Sequence, residues 1–132
     1  MRRVGELIEQ LETMSHVIGY HLNSFDLKIL RTYGLDVTKV KAIDVSAELE
    51  KKCDRAVSLR EVLSPTLGVD DPSDDFDFAE AEQLHDVVKL IENCCNRVFS
   101  IRKLHEYGRT NSPLYSRSSP ADPTLVEIEV EW

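Results

Sequence analysis

Apolar residues Val4, Leu7, Ile8, Leu11, Met14, Ile18, Leu22, Phe25, Ile29 and Tyr33 recur at steps of three and four, the spacing of one helical face. The pattern predicts a long first helix from about Arg2 to Tyr33, on the order of 48 Å at 1.5 Å per residue. Gly34 suits a left-handed C-cap, with Leu35 as the capping hydrophobe. Gly19 and the Asn23-Ser24 pair are where such a helix bends or splits, because these residues disfavour helix interiors. Residues 35–45 lack a clear period, although Val37, Val40, Ile43 and Val45 are β-branched; they predict a connector or a short strand. A second helical pattern starts at Asp44 or Ser46, either of which is an acceptable N-cap. It uses Leu49, Cys53, Ala56, Val57 and Leu63 and ends before Pro65.

The stretch Ser64 to Asp77 holds Pro65, Gly68 and Pro72 with Asp70, Asp71, Asp74 and Asp75, and reads as an exposed acidic loop. Asp77 is the expected N-cap of a third helix whose face is marked by Phe78, Ala81, Leu84, Val88, Ile91, Cys95, Val98, Ile101 or Arg102, and His105. Gly108 is its expected terminator. Residues 110–123 are rich in Ser and Pro, and Pro113, Pro120 and Pro123 prevent a helix there. The period then changes: Val126, Ile128, Val130 and Trp132 alternate with Glu127, Glu129 and Glu131, the pattern of a half-buried strand. The fold expected is all-α: a three-helix antiparallel bundle of two long helices and one shorter over 1–109, an irregular Pro/Ser-rich arm over 110–123, and a C-terminal β-strand or interaction tail over 124–132.

An isolated strand is not stable in water, so Thr124 to Trp132 must pair. The internal candidate is the connector around Val37 to Val45; the external one is a sheet edge of a second copy or of another protein, bound by β-augmentation. The strand residues Val126, Ile128, Val130 and Trp132 and the acidic residues Asp70, Asp71, Asp74 and Asp75 are therefore the candidate partner-binding positions.

Sixteen Lys and Arg against 24 Asp and Glu leave a net charge of -8 on 132 residues, which disfavours broad phosphate binding and makes nucleic acid an unexpected partner. No apolar run reaches the ~18 residues of a membrane span, and three cysteines without zinc spacing suit a reducing, cytoplasmic setting. Glu82 and His85 form one Glu-x-x-His, and Glu12 and His16 lie one helical turn apart. A di-iron bundle needs a second Glu-x-x-His, so no metal and no cofactor is assigned. Cys94 and Cys95 are adjacent, without a Cys-x-x-Cys; Cys95 reads as a small core residue. No sustained heptad pattern sets an oligomer number, and a homo-oligomer is one expected state.

Near the end of the third helix, Arg97, Arg102, Lys103, His105, Arg109 and Arg117 form a basic zone. The segment Arg102, Lys103, Leu104, His105, Glu106, Tyr107 resembles the Arg-to-His motif of HEPN ribonucleases, small helical proteins in which an Arg and a His a few residues beyond it form the active site. The spacing departs from that pattern: seven residues separate Arg97 from His105, and two separate Arg102 from it. The resemblance implies His105 as general acid or base on a ribose 2′-hydroxyl, with Arg97 or Arg102 stabilising phosphorane charge. The leading expectation is a non-enzymatic interaction module, an adaptor, inhibitor or assembly subunit that uses an acidic helical surface and the C-terminal strand. A HEPN-like ribonuclease is the alternative.

Overall fold

The structure is a computed structural model that describes residues 2–74, 76–117 and 124–132. Asp75 and residues 118–123 of the arm, including Pro120 and Pro123, lie outside the described residues. The chain divides into two compact units, Met1–Ala56 and Val57–Trp132.

In the first unit, helix α1 (Arg2–Thr13) is followed by strand β1 (Val17–Gly19), a π-helical turn (Leu22–Asp26), helix α2 (Leu27–Arg31), a 3₁₀ turn (Val37–Lys39), strand β2 (Ala42–Asp44) and helix α3 (Val45–Cys53). β1 and β2 pair in parallel, Val17 opposite Ala42 and Gly19 opposite Asp44. The single first helix is thus replaced by two helices and a strand. Beyond Thr13 the β-branched pair Val17-Ile18 finds the β-branched connector as a partner, which a continuous helix would forgo. The π-helical turn, closed by the Leu27 N–H on the Leu22 carbonyl, then shifts the phase of everything after it. One core cluster of the unit is Ile8, Leu22, Leu27 and Leu35, and Tyr20, Val45 and Leu49 are also buried, whereas Ile18, Phe25, Ile29 and Tyr33 of the expected face are exposed. Gly34 does end its helix, at φ 105°: its N–H donates to Arg31 O (3.1 Å) and the Leu35 N–H to Leu30 O (3.2 Å), with Leu35 buried as the capping hydrophobe.

A buried carboxylate ties the unit together. Asp44 caps α3 by accepting from Ala47 N–H (3.3 Å), accepts from the Ser46 hydroxyl (2.7 Å), and receives Asn23 N–H (2.9 Å) from the π-helical turn. The Ser46 oxygen in turn accepts His21 N–H (2.9 Å), where His21 holds a left-handed φ of 57°. Burial pushes the Asp44 carboxyl upward, but the bonds from Ser46, Asn23 and Ala47 outweigh it and hold the group below the ordinary aspartate value.

The second unit contains helices α4 (Leu59–Leu67), α5 (Phe78–Gln83) and α6 (Val87–Asn111) and strands β3 (Leu114–Ser116) and β4 (Val126–Ile128). β3 and β4 pair antiparallel, Leu114 opposite Ile128 and Ser116 opposite Val126. The terminal strand therefore pairs within the chain, with the arm and not with the Val37 to Val45 connector. The expected second helix is split at Asp54, whose left-handed φ of 56° ends α3. Its continuation α4 carries Pro65 inside instead of stopping before it. Proline has no N–H for the carbonyl four residues back, so Glu61 O is left to accept from Arg117 N–H (2.9 Å) just beyond β3. The next residue, Thr66, accepts from Tyr115 N–H and donates to Tyr115 O, both at 2.9 Å. The outer edge of β3 is thus closed by α4. Leu59, Val62, Leu63, Leu104, Leu114 and Ile128 are buried in this unit.

The all-α three-helix antiparallel bundle is overturned: the described residues form six α-helices with two separate two-stranded sheets, one parallel and one antiparallel.

Two outcomes are expected. Asp44→Ala should lower stability by about 2 kcal/mol at neutral pH, the scale of a charge-assisted bond and a lost cap. Because the folded carboxyl is depressed, its contribution is present above about pH 4 and fades as pH falls through the folded value. Urea unfolding of both proteins at pH 7 and pH 3 should show the gap shrinking in acid. Thr66→Val leaves the Tyr115 N–H and C=O without their shared hydroxyl and should cost about 1–2 kcal/mol by the same measurement.

Candidate functional site

Helix α6 is 25 residues long and begins at Asp86, whose carboxylate accepts Lys89 N–H at 3.1 Å. It is separate from α5 because His85 takes a left-handed φ of 52°. Asp86 N–H then reaches Ala81 O (2.8 Å) and His85 N–H reaches Glu82 O (3.1 Å), the same terminator that Gly34 makes. Asp77 caps α5 through Glu80 N–H (2.9 Å), as the sequence predicts for that position, but the helix it starts is short.

The buried side of α6 keeps Ile101 and His105 of the expected face and departs from the rest of it. Asn93, Ile101, Leu104, His105 and Gly108 are buried, while Leu84, Val88, Ile91, Cys95 and Val98 face solvent. Asn93 is drawn inward by polar bonds: its amide donates to Pro72 O (2.8 Å) and its carbonyl oxygen accepts from the Ser73 hydroxyl (3.4 Å), pinning the acidic loop to the helix. At 100° per residue, Val87, Val88, Ile91, Cys94, Cys95, Val98 and Phe99 fall within an arc of about 140° on α6. The five larger side chains are each 56–65% exposed, and both cysteines are exposed free thiols. The arc presents roughly 600 Å² of apolar surface, the upper end of what a monomer leaves open. The first unit also exposes Phe25, Ile29 and Tyr33, a shorter stripe.

The terminal segment holds the other end of α6. Trp132 stacks on His105 (ring centroids 5.5 Å apart, 17° between planes) and its indole N–H donates to His105 O at 2.9 Å. Gly108 admits this approach: a Cβ there would lie 2.8 Å from Trp132 Cζ2 and 2.9 Å from Val130 Cγ2. Of the expected partner-binding strand positions, Ile128 and Val130 are buried, Trp132 is half-buried, and Val126 is exposed. Since Tyr115 turns its backbone to Thr66, the Tyr115–Glu127 pair is the non-bonded type, and Glu127 turns its N–H and C=O to the open edge of β4.

The acidic candidates are dispersed in role. Asp71 is buried and accepts Ser73 N–H (2.9 Å), an Asx turn, while Asp70 and Asp74 are exposed. Of the basic candidates, Arg102 is exposed and paired with Glu106 (3.1 Å), Arg97 is half-buried, and His105 is covered by the Trp132 ring. Among the described residues no three His, Cys, Asp or Glu side chains group to hold a metal ion, and no helix is long and apolar enough to cross a membrane. Glu12 instead accepts Asp36 N–H at 2.9 Å.

Compared with protein-family models, curated proteins and solved structures, the chain matches none at a significant level.

The exposed apolar face of α6 has the cleaner helical spacing, which in the sequence predicts a core face. The signal for the true inner face is Leu90, Ile101, Leu104 and Gly108 with Arg97, a second helical stripe on the same segment. Gly108→Ala should dislodge the terminal segment. The emission of the single tryptophan should move to the red and its quenching by iodide should rise, whereas an unchanged spectrum would mean that the ring does not rest on Gly108.

Proposed function

We propose that this protein is a non-enzymatic interaction module that binds an amphipathic helix of its partner along the exposed arc of α6. The observation that carries the reading is the arc itself, seven apolar positions from Val87 to Phe99 on one side of a helix whose other side is already packed. Its stripe positions Val88, Ile91, Cys95 and Val98 are spaced three, four and three, the repeat that receives the side chains of another helix. About 600 Å² of apolar surface on one partner approaches the ~800 Å² that each side of a standard-size interface contributes. An adaptor or assembly subunit fits these properties, and a cytoplasmic setting keeps Cys94 and Cys95 as thiols.

A photo-crosslinking amino acid in place of Ile91, in cells that produce the protein, tests this. Discrete adducts should form, with the attachment mapping to apolar residues three or four apart on the partner, and the same group at Asn96 on the polar side should give none. Equal labelling from both positions, or none from 91, would sink the reading.

A further inference from the structure

We infer that the surface formed by His105, Gly108, Ser112 and β3 is a peptide-recognition site, which this chain's own tail occupies in cis and an extended strand of a partner protein takes by displacing it. The site lies apart from the apolar arc and does not depend on what binds there. From Val126 to Trp132 the tail meets one contiguous stretch of chain at every second residue. Val126 lies opposite Ser116, and Ile128 opposite Leu114, in the antiparallel ladder. The Ser112 hydroxyl accepts Val130 N–H (3.3 Å) and donates to Val130 O (3.5 Å). Trp132 stacks on His105, gives its indole N–H to His105 O (2.9 Å), and passes over Gly108 where a Cβ would collide with it. Between these positions Glu127, Glu129 and Glu131 are exposed. Main-chain bonds combined with pockets for alternate side chains are how a sheet edge holds an extended peptide. The ligand so defined is Ile-x-Val-x-Trp: two β-branched aliphatics and an indole at alternate positions, with the intervening residues free to vary.

The tail is lightly held, and its seat is held without it. β4 is three residues long, and the side chains that anchor the tail are Ile128, Val130 and Trp132. A segment with so few buried contacts opens well before the whole protein unfolds. The receiving strand is secured on its other edge by α4, through Arg117 N–H on Glu61 O and both backbone groups of Tyr115 on Thr66. Release of the tail therefore leaves β3 in place, with Leu114 and Ser116 turning their backbone groups to a vacant edge beside Gly108. A vacant edge of this kind is a template for another strand. That strand comes from a different protein and not from a second copy. An identical tail adds no new contact, whereas the tethered one already acts at an effective concentration in the mM range typical of short linkers.

Trp132 is the single tryptophan, so 5-fluorotryptophan incorporated into the full chain reports on the tail alone by fluorine NMR. Adding an unlabelled peptide of residues 124–132 should convert the ring signal into a second, sharper one, with half-conversion at roughly mM peptide. The backbone amide signals of α4 and β3 should persist through the conversion. The same peptide carrying Trp132→Ala should need at least about 10-fold more for equal conversion, as expected for loss of an aromatic anchor. A ring signal unmoved at about 10 mM peptide, well above the effective concentration of the tether, overturns the site. So does conversion accompanied by loss of the α4 and β3 amides, because the tail is then part of the core. Equal conversion by both peptides overturns the indole as an anchor. Conversion that grows with protein concentration in the absence of peptide assigns the site to tails of other copies and overturns the partner strand.

Discussion

A proline in the middle of α4 sets the arrangement of the second unit. Pro65 withdraws one N–H from the helix, and the carbonyl it leaves at Glu61 is taken by Arg117 N–H, next to β3. Thr66 completes the junction through both backbone groups of Tyr115. With β3 fixed, β4 has an edge to join, and the segment after β4 comes to lie on α6 over Gly108. Covering the C-terminal half of α6 in this way leaves only its N-terminal half open, which is where the apolar arc lies.

The excess of acid has a local explanation in part. Asp36, Asp44, Asp77 and Asp86 each accept a backbone N–H at the start of a helical segment, and Asp71 closes a turn. Short helices expose proportionately more unsatisfied N–H groups, so a chain built of many short elements needs many such caps. The charge of -8 therefore reflects architecture as well as any preference for a partner.

Local signals in the sequence were legible where one residue decides the outcome. Gly34 and the caps at Asp44 and Asp77 act within a single turn, and the alternation from Val126 reports a strand, which extends only over Val126–Ile128 of the nine residues expected. What failed was phase over longer distances. Gly19 lies in a strand, a π-helical turn follows it, and His85 holds a left-handed conformation with no glycine to announce it; each resets the periodicity. On α6 the difficulty was different: two apolar stripes share one helix, and the one with the cleaner spacing is the one left in water. Asn93, a polar residue satisfied by the Pro72 loop, decides which side turns inward, and its bonds depend on residues some twenty positions away.

The two faces of α6 also restrict how this helix can vary between related chains. One side is held by packing and by Asn93, the other by its exposed apolar arc, so only a narrow band containing Lys89, Glu92, Asn96 and Lys103 is left without a role in either. Substitutions accumulating over generations should collect in that band, and a drifting sequence would keep this helix recognisable after the short elements around it had lost their resemblance.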